Sequence, residues 1–297
     1  MNRPLVSVII NCYNGEAFLR QAIDSVLAQT YDNWEVIFWD NQSTDRSAEI
    51  FRSYSDPRLK YHYAPTHCLL YDSRNQALAH ANGDLLAFLD VDDWWLPEKL
   101  VRQVALFDDP EVGLASTNYL VRNEIKGREW VAFKQPMPSG YVLNDLLRSY
   151  SVALLTLMIR RSALPIGETP FDPRYHIIGD FDRVLRQAAH WKLARLHDVL
   201  AVYRIHGNNE TSKRRARHIS ELETWQNEMA EVPAIGGQPN FRWVSLHTTY
   251  IKTMDALLTG RRREAYGHSM TLPWGSEKMR LLAAQLLPRA LVAHIKN

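Results

Sequence analysis

The chain has only two cysteines, Cys12 and Cys68, among its 297 residues. Two cysteines cannot build a disulfide framework or supply the four ligands of a structural zinc site, so both kinds of cross-linked small domain are excluded. Cys12 lies in an apolar run, where a cysteine usually behaves as a small buried hydrophobic residue. A reducing, cytosolic environment is therefore the expected setting for this protein.

Long apolar segments and a strong excess of one charge are also missing. No apolar run approaches the ~20 residues that a membrane-spanning helix needs, and the amino terminus lacks the pattern of a secretory signal. The formal net charge of +2 is too small to indicate nucleic acid as a partner. Apolar residues make up 46% and charged residues 23% of the chain, which is ordinary for a globular protein with a sizeable core.

Strand and helix patterns alternate over the first 110 or so residues. Short apolar runs predict strands at 5–12, 34–39, 59–63 and 85–89. Apolar residues at helical spacing and capping residues predict helices at 18–27, after Ser43 and Thr44, at 73–81, and from Pro97 onward. This alternation predicts a doubly wound, mostly parallel α/β sheet, in which ligands bind at the carboxyl ends of the strands.

The pattern is less regular from residue 111 and changes again near residue 210. Strands are predicted at 112–118, 153–159 and 199–204, and a short helix at 181–189. A basic stretch at 213–217 then precedes four predicted helices, at 218–231, 241–259, 261–270 and 276–295. We therefore predict a domain boundary near residue 210.

An acidic cluster, Asp90-Val91-Asp92-Asp93, follows the strand predicted at 85–89. In an extended segment alternate residues point the same way, so Asp90 and Asp92 are expected to share a face. Two nearby carboxylates repel each other unless a cation lies between them. Their oxygens suit Mg²⁺ or Mn²⁺, which bind one or two carboxylates together with substrate phosphates. Because Asp40 also follows a strand directly, it should reach the same crevice. The alternative for the acidic cluster at 90–93 is a turn that only caps the helix beginning at Pro97.

The order of motifs over residues 5–100 resembles glycosyltransferase family 2. The resemblance is carried by VSVIINCYNGEAFLRQAIDSVLAQTYDNWEVIFWDNQSTD and by SRNQALAHANGDLLAFLDVDDWWLPEKL. These segments match a Tyr-Asn turn, an SVLAQTY helix end, a strand ending in Asp before STD, an ARN element and an FLDADD element. The resemblance implies the GT-A fold, a Rossmann-like, doubly wound mixed sheet with a helical C-terminal extension. It implies a catalytic domain at 1–210, with a nucleotide-binding half at 1–93 and an acceptor-binding half at 94–210, followed by a helical region at 211–297.

The resemblance implies where the donor nucleotide binds. Asp40 matches the family aspartate that hydrogen-bonds the pyrimidine base, and Arg74 matches an arginine near the base and the phosphates. The first turn borders the nucleoside through Asn11, Tyr13 and Asn14. Asn41-Gln42 stands where the family commonly has Asp-Gly, so the nucleoside contacts are expected to differ in detail.

The resemblance also implies a metal site of the DXD type. Asp90 matches the first carboxylate of that motif, near the ribose, Asp92 matches the main metal ligand, and Asp93 is a candidate helper. Tyr203-Arg204-Ile205-His206 matches a YR-x-H element at the end of the catalytic domain. Arg204 and His206 would share one side of a strand and reach the diphosphate, and a neutral histidine would complete the metal site. A structural arginine and a surface histidine are the alternative.

A second acidic cluster, Ile178 to Asp182, matches the element that carries the family's general base. The family pattern is a Glu-Asp pair that opens a short helix, and its aspartate matches Asp180. A carboxylate at a helix amino terminus is stabilised in its charged form by the helix dipole, and it then accepts a proton from a sugar hydroxyl. Gly179 replaces the usual glutamate, so the base has lost its neighbour. A pair of aspartates that only caps a surface helix is the alternative.

The resemblance implies an inverting glycosyltransferase that depends on Mn²⁺ or Mg²⁺. It would move a hexosyl or acetylhexosaminyl group from a nucleotide-sugar, with uridine as the expected base, to a hydroxyl of a glycan or lipid-linked acceptor. The resemblance suggests bacterial surface polysaccharide synthesis at the inner face of the cytoplasmic membrane.

Three other functions are weighed against this one. A sugar nucleotidyltransferase needs a glycine-rich phosphate loop, which residues 11–15 do not supply. A processive membrane synthase carries Gln-x-x-Arg-Trp, whereas Gln238 and Arg242-Trp243 are one residue too far apart. A non-catalytic protein that binds nucleotide-sugars or glycans, as a scaffold for glycan assembly, is the alternative outside the enzymes.

Two aromatic and basic features have open interpretations at this stage. Trp94 and Trp95 follow the acidic cluster and either stack on an acceptor sugar or pack in the core. The helix predicted at 276–295 combines leucines with Lys278, Arg280 and Arg289. It either lies on an anionic membrane surface or packs against the preceding helices.

Overall fold

The computed structural model describes residues 3–165, 167–207, 209 and 214–287. The chain divides into two compact units, one made of Met1–Leu146 with Tyr150–Asn209, and the other of Leu147–Ser149 with Glu210–Asn297. That these units act as a catalytic domain and a separate helical domain stays a prediction.

One mixed sheet organises the first unit. Within the described residues its nine strands are β1 (Val6–Cys12), β2 (Trp34–Asp40), β3 (Leu59–Tyr63), β4 (Leu85–Phe88), β5 (Trp94–Trp95), β6 (Val112–Asn123), β7 (Arg128–Val131), β8 (Met158–Arg160) and β9 (Lys192–Ile205). Their order is β3-β2-β1-β4-β8-β6-β9-β5, with β7 paired to β6. The first four are parallel neighbours, whereas β8 runs antiparallel to β4 and β6. Strand β9 is again parallel to β6, so the predicted parallel pairing holds for β1–β4 and for β6 with β9, and the antiparallel strands make the sheet mixed.

The described helices alternate with the strands of the first unit and then form most of the second unit. They are α1 (Leu19–Leu27), α2 (Ser47–Arg52), α3 (Leu70–Leu78), α4 (Lys99–Val104), α5 (Leu143–Arg148), α6 (Gly179–Ala188), α7 (Arg215–Ala230), α8 (Pro233–Gly236), α9 (Arg242–Leu258), α10 (Arg262–Thr271) and α11 (Ser276–Ala284).

Strand β1 shows that helices cover both faces of the sheet. Successive strand residues point to opposite faces. On one face Val8 and Ile10 belong to a core cluster that also contains Ile23 of α1. On the other face Asn11 Nδ2 donates to Ser73 Oγ of α3 at 2.8 Å. The sheet is thus doubly wound, and β1 is buried along its whole length.

The loops after β1 and β2 are tied together at the carboxyl ends of these strands. Asn14 adopts a left-handed backbone conformation with φ 53°, which asparagine tolerates better than most residues. Its Oδ1 accepts the Thr44 N–H at 2.8 Å, and its own N–H donates to Ser43 Oγ at 3.0 Å. Ser43 and Thr44 therefore join the loops and do not cap α2 as predicted. Asp45 Oδ1 accepts the N–H of Ser47, the first residue of α2.

Several predicted boundaries are wrong in ways that have a physical reason. The continuous apolar run at 153–159 was predicted to be one strand, but it forms a 3₁₀ turn, Leu154–Thr156, followed by β8. Periodicity cannot separate such a run from other buried segments. Strand β9 begins at Lys192 instead of residue 199, and α3 begins at Leu70 instead of residue 73. Strand β7 and helix α5 were not predicted.

Trp94 and Trp95 form the short strand β5 and are buried, with exposed fractions of 9% and 2%. The indole N–H of Trp95 donates to the Leu155 carbonyl at 2.8 Å. The Arg204 guanidinium lies 4.7 Å from the ring centre of Trp94. The core interpretation is therefore correct for both tryptophans, because neither ring presents a face to an acceptor sugar.

The second unit has its own hydrophobic core, built from α9, α10 and α11. Met254, Leu257, Ala265, Leu281 and Ala284 form one buried cluster. The buried ammonium of Lys278 donates to backbone carbonyls at 2.9 Å, so Lys278 and Leu281 pack inside the unit.

The helix predicted at 276–295 is shorter in the structure and ends at Ala284. Residues 288–297, including Arg289 and Leu291, lie outside the described part of the chain. Among the helices that the structure describes, none is both long enough and apolar enough to cross a bilayer.

Candidate active site

The acidic cluster after β4 is a turn and not the extended segment that the sequence predicted. The Asp93 N–H donates to the Asp90 carbonyl at 3.1 Å, which closes the turn. The alternate-residue argument for a shared face is therefore wrong, yet the two carboxylates do interact. Burial, and then the negative charge of Asp90, raise the pKa of Asp92. Burial, followed by the charges of Asp92 and Asp90, raises the pKa of Asp93 well above its usual range.

Arg204 of β9 holds this turn. Its N–H donates to Asp93 Oδ1 at 2.9 Å, and its Nε donates to the Asp92 carbonyl at 2.8 Å. The two terminal nitrogens of its guanidinium donate to Glu124 and Gln21. The Arg204 side chain is 8% exposed, and it donates to protein acceptors in three directions. These contacts are those of a structural arginine, which was the alternative interpretation of Arg204. A contact between Arg204 and a bound diphosphate stays a prediction.

Asp92 has polar neighbours from the end of β9 and the residues beyond it. His206 Nε2 lies at hydrogen-bond distance from Asp92 Oδ2, 2.9 Å away. Asn209, which the sequence did not indicate, donates to the same oxygen at 3.4 Å. The Oδ1 atom of Asn209 also accepts the backbone N–H of His206 at 2.7 Å. The structure therefore joins two of the three predicted metal ligands, Asp92 and His206.

The described residues contain no group of three or more histidine, cysteine, aspartate or glutamate side chains arranged to hold a metal ion by themselves. Asp90, Asp92 and His206 still fit a divalent cation in another way. Burial and then the negative charge of Asp90 raise the pKa of Asp92, and a bound cation would offset both effects. Their oxygen and imidazole donors suit Mn²⁺ or Mg²⁺ when substrate phosphates complete the coordination shell.

Arg74 of α3 places a buried positive charge beside Asp90. The side chain of Arg74 is 3% exposed, and its Nη2 lies 2.5 Å from Asp90 Oδ1. Its Nη1 is buried and has no hydrogen-bond partner. A buried guanidinium nitrogen without an acceptor is costly, so this nitrogen is a candidate donor to an anionic ligand such as a diphosphate.

Asp180 lies at the start of α6 and faces α3. The Tyr71 hydroxyl donates to Asp180 Oδ1 at 2.7 Å. Burial raises the pKa of Asp180, although the Tyr71 hydrogen bond and the positive charge of Arg74 act in the opposite direction. Burial is therefore the largest influence on the pKa of this carboxylate, and its stabilisation by the helix dipole stays a prediction. A carboxylate with raised proton affinity is a better proton acceptor.

The residues predicted to bind the nucleoside lie at the ends of β1 and β2. Asp40 is fully buried; its Oδ1 accepts the Ser43 N–H and its Oδ2 accepts the Tyr61 hydroxyl, both at 2.7 Å. Asn11 is 8% exposed, and its Oδ1 is a buried acceptor without a partner. The internal bonds of Asp40 hold the loop that follows β2, and recognition of a base by Asp40 stays a prediction.

Tyr13 and the residues after Asp40 border the same end of the sheet. Tyr13 is 54% exposed, and its ring lies against His67 with the ring centres 4.5 Å apart. Asn41 Nδ2 donates to the Cys68 carbonyl at 2.9 Å. Gln42 adopts a left-handed φ of 67°, a conformation that glycine adopts without strain. Asn41-Gln42 stands where the family commonly has Asp-Gly, and Gln42 adopts the turn conformation that glycine would adopt more easily.

The structure connects some predicted residues and adds others. Contacts run from Asp180 through Tyr71 and Arg74 to Asp90, and Asp92 contacts His206. Tyr71 was missed, although it lies three residues before Arg74 and so on the same face of α3. Asn209 was missed because no pattern connects it to Asp92.

The family model described as "Glycosyl transferase family 2" matches residues 7–163. The UDP-Glc:alpha-D-GlcNAc-diphosphoundecaprenol beta-1,3-glucosyltransferase WfgD of Escherichia coli is 33% identical over 174 residues, which are 58% of this chain and 66% of that protein. The match therefore spans slightly less than two thirds of that relative.

Two solved structures share the fold at low sequence identity. S. aureus TarS 1-349 in complex with UDP-GlcNAc has a TM-score of 0.65 at 17% identity, over 98% of this chain and 87% of that one. The mannosyltransferase PcManGT from Pyrobaculum calidifontis, in complex with GDP-Man and Mn2+, has a TM-score of 0.65 at 19% identity, over 100% and 88%. The α/β GT-A fold with C-terminal helices is thereby confirmed. By the family model that covers more than half of its length, the chain belongs to glycosyltransferase family 2.

Proposed function

We propose that this protein is an inverting, metal-dependent glycosyltransferase that moves a sugar from a UDP-sugar to a hydroxyl of a glycan or lipid-linked acceptor. The observation that carries the proposal is the line of contacts Asp180–Tyr71–Arg74–Asp90. It joins a carboxylate of raised pKa to a buried guanidinium that has a nitrogen without an acceptor. The first suits a general base, and the second suits the diphosphate of a donor.

Asp180 is proposed to take the proton of the acceptor hydroxyl. As that oxygen attacks the anomeric carbon, the bond between the sugar and the nucleotide diphosphate breaks. The attack comes from the face opposite the leaving group, so the anomeric configuration inverts. One base is enough for this single displacement, in contrast to the nucleophile and acid–base pair of a retaining glycosidase.

The donor nucleotide is proposed to lie at the carboxyl ends of β1 and β2. Arg74 Nη1 and Asn11 Oδ1, both buried without partners, supply one donor and one acceptor there, and Tyr13, Asn14 and Asp40 border the nucleoside. A UDP-sugar with a hexosyl or acetylhexosaminyl group is proposed because WfgD is named for UDP-Glc and TarS was solved with UDP-GlcNAc. PcManGT was solved with GDP-Man, so GDP-sugars belong in the test.

Asp90, Asp92 and His206 are proposed to hold Mn²⁺ or Mg²⁺ together with the donor diphosphate. When bound, such an ion neutralises negative charge on the diphosphate leaving group. PcManGT, which shares the fold, was solved with Mn2+. Arg204 and Asp93 are proposed to support this site by holding the turn that carries Asp92.

The acceptor is proposed to be a lipid-linked sugar in the assembly of a bacterial surface polysaccharide, because WfgD is named for a diphosphoundecaprenol-linked acceptor. The second unit is proposed to contact the inner face of the cytoplasmic membrane. Its exposed apolar residues Tyr266, Met270 and Trp274 lie close in sequence to the exposed Arg263, a combination that suits an anionic bilayer. Equal sedimentation with anionic and neutral vesicles would count against this location.

The enzymatic proposal is tested by nucleotide release from a panel of UDP- and GDP-sugars, with Mn²⁺, with Mg²⁺ and with a chelator. We expect release from a UDP-sugar that requires the metal, and a loss of at least ~100-fold in kcat for Asp180→Asn with nucleotide affinity retained. Because asparagine keeps the shape of the side chain, the loss isolates proton acceptance. Near-normal turnover of Asp180→Asn would contradict its role as the base, and no turnover with any donor would favour the non-catalytic binding protein.

A further inference from the structure

Gly179 and Tyr71 approach each other more closely than any residue other than glycine would permit. A Cβ built on Gly179 would lie 2.5 and 2.6 Å from Cδ2 and Cδ1 of the Tyr71 ring. These ring atoms are not the free end of a flexible chain, and Tyr71 is 3% exposed. A side chain at position 179 would therefore have to displace the ring.

The ring fills the space beside the base that a side chain at position 179 would need. Its other neighbours are Phe171, with ring centres 5.2 Å apart, and the Arg74 guanidinium, 4.7 Å from the centre of the ring. In this position the Tyr71 hydroxyl donates to Asp180 Oδ1 at 2.7 Å. Burial, followed by the charge of Asp180, raises the pKa of Tyr71 well above its usual value. The phenol therefore keeps its proton and remains a donor.

We propose that Tyr71 is the positioning residue of Asp180, and that glycine at position 179 is what admits it. The inference rests on the proposed function of Asp180 as the base. The sequence resemblance implies a glutamate before the base, and here that neighbour is missing. A phenol from α3 stands in its place, so the base is supported from another element of the fold.

The hydrogen bond has a defined consequence for the carboxylate. It occupies Oδ1 and so fixes the rotation of the carboxylate plane about the Cβ–Cγ bond. Oδ2 is then held in one direction, toward which an acceptor hydroxyl can be aligned. A fixed orientation of the Asp180 carboxylate helps the reacting complex to reach the transition state and so raises kcat. The affinity for the donor nucleotide does not depend on this orientation.

Tyr71→Phe tests the hydroxyl while keeping the ring. We expect kcat for UDP release from UDP-glucose to fall by roughly 10- to 100-fold, which is the range for a hydrogen bond to a charged group, and KM for UDP-glucose to change by less than about twofold. Tyr54→Phe is the matched control, since Tyr54, the second residue after α2, donates its hydroxyl to Asp24 Oδ1 of α1 at 2.8 Å. We expect that control to leave kcat unchanged.

Gly179→Ala tests the close approach in two backgrounds. With Tyr71 present, the methyl group displaces the ring, and kcat should fall about as far as in Tyr71→Phe. With Tyr71→Phe already in place there is no hydroxyl to misplace, so adding Gly179→Ala should lower kcat by less than about threefold. In the Tyr71→Ala background the ring is absent. The double variant Tyr71→Ala/Gly179→Ala should therefore fold as well as Tyr71→Ala alone, as measured by circular dichroism. This background separates loss of position from loss of folding.

The outcomes separate the two proposals. An unchanged kcat in Tyr71→Phe, together with a lost kcat in Asp180→Asn, would overturn the positioning role and leave the base assignment standing. A higher KM at unchanged kcat would overturn it in favour of donor binding. Multiplicative losses for Tyr71→Phe and Gly179→Ala would overturn the role of the glycine. No UDP release by the unaltered protein from any donor would overturn the proposed function, and the positioning role with it.

Discussion

Lys99 of α4 is fully buried, and this makes the stability of the protein depend on pH in a predictable way. Its ammonium nitrogen donates to Gln103 Oε1 at 2.6 Å and lies 4.0 Å from the ring centre of Trp95. Burial lowers the pKa of Lys99 to about 7. In the unfolded chain a lysine has a pKa of ~10.4, so between these values the unfolded state binds one more proton than the folded state.

The sign of the effect follows from this difference in bound protons. Stability rises with pH wherever the unfolded state binds more protons, so the contribution of Lys99 improves from about pH 7 toward pH 10. The two pKa values differ by roughly 3, and each pKa unit corresponds to about 1.4 kcal/mol. The charged lysine therefore costs at most ~4 kcal/mol in the folded state below pH 7.

Lys99→Met removes the charge and keeps most of the volume. At pH 6 we expect the variant to unfold with a free energy ~2 kcal/mol higher than the unaltered protein, because the loss of the Gln103 bond offsets ~1–2 kcal/mol of the gain. Near pH 10 the lysine is neutral in the folded state, so the variant should be equal or less stable. The measurement is urea unfolding from pH 6 to pH 10, as the difference between the two proteins at each pH.

The exposed Lys126→Met is the matched control for this series. An exposed ammonium stays hydrated in both states, so its replacement should give a difference that does not change with pH. Taking differences also removes the contributions of tyrosines and cysteines that titrate in the same range. A Lys99→Met difference that stays constant from pH 6 to pH 10 would refute the reasoning.

Two further predictions concern the loops that carry the candidate site. Arg204→Lys should lower the free energy of unfolding by ~2–4 kcal/mol, because one ammonium cannot donate to Asp92, Glu124 and Gln21 in three directions. Glu124 is 39% exposed, so its ion pair accounts for little of this loss. A urea midpoint within error of the unaltered protein would contradict this prediction. Asn14→Ala should be less stable than Asn14→Gly by ~1 kcal/mol, because alanine disfavours the left-handed conformation at this position. Both variants lack the side-chain acceptor, so equal thermal midpoints would show that the backbone conformation carries no cost.

The first half of the sheet was predictable because its signals are local. Each of β1, β2 and β4 is a short apolar run, and the alternation with helices indicates parallel pairing. The second half was less predictable because its pairing is long-range. Strand β8 has three residues and lies between β4 and β6 only through contacts across the sheet.

The candidate site likewise has features that the sequence predicted and features that it could not predict. The acidic residues Asp90, Asp92 and Asp180 could be found from ordered motifs. Their chemistry could not, because a pKa depends on burial and on neighbours that are far away in sequence. The helix-dipole argument for Asp180 did not include burial, which raises its pKa, and the extended geometry assumed for Asp90 and Asp92 proved to be a turn.

By itself, the sequence determined the family, the strand–helix order of the nucleotide-binding half and the positions of the acidic residues, because these depend on residue type and spacing along one segment. Only the tertiary structure decided which partners those residues have. Tyr71 and Asp180 are 109 residues apart, and His206 and Asp92 are 114 apart. The reason is steric as much as electrostatic, since Tyr71 reaches the carboxylate only where α3 packs against a position without a side chain, Gly179.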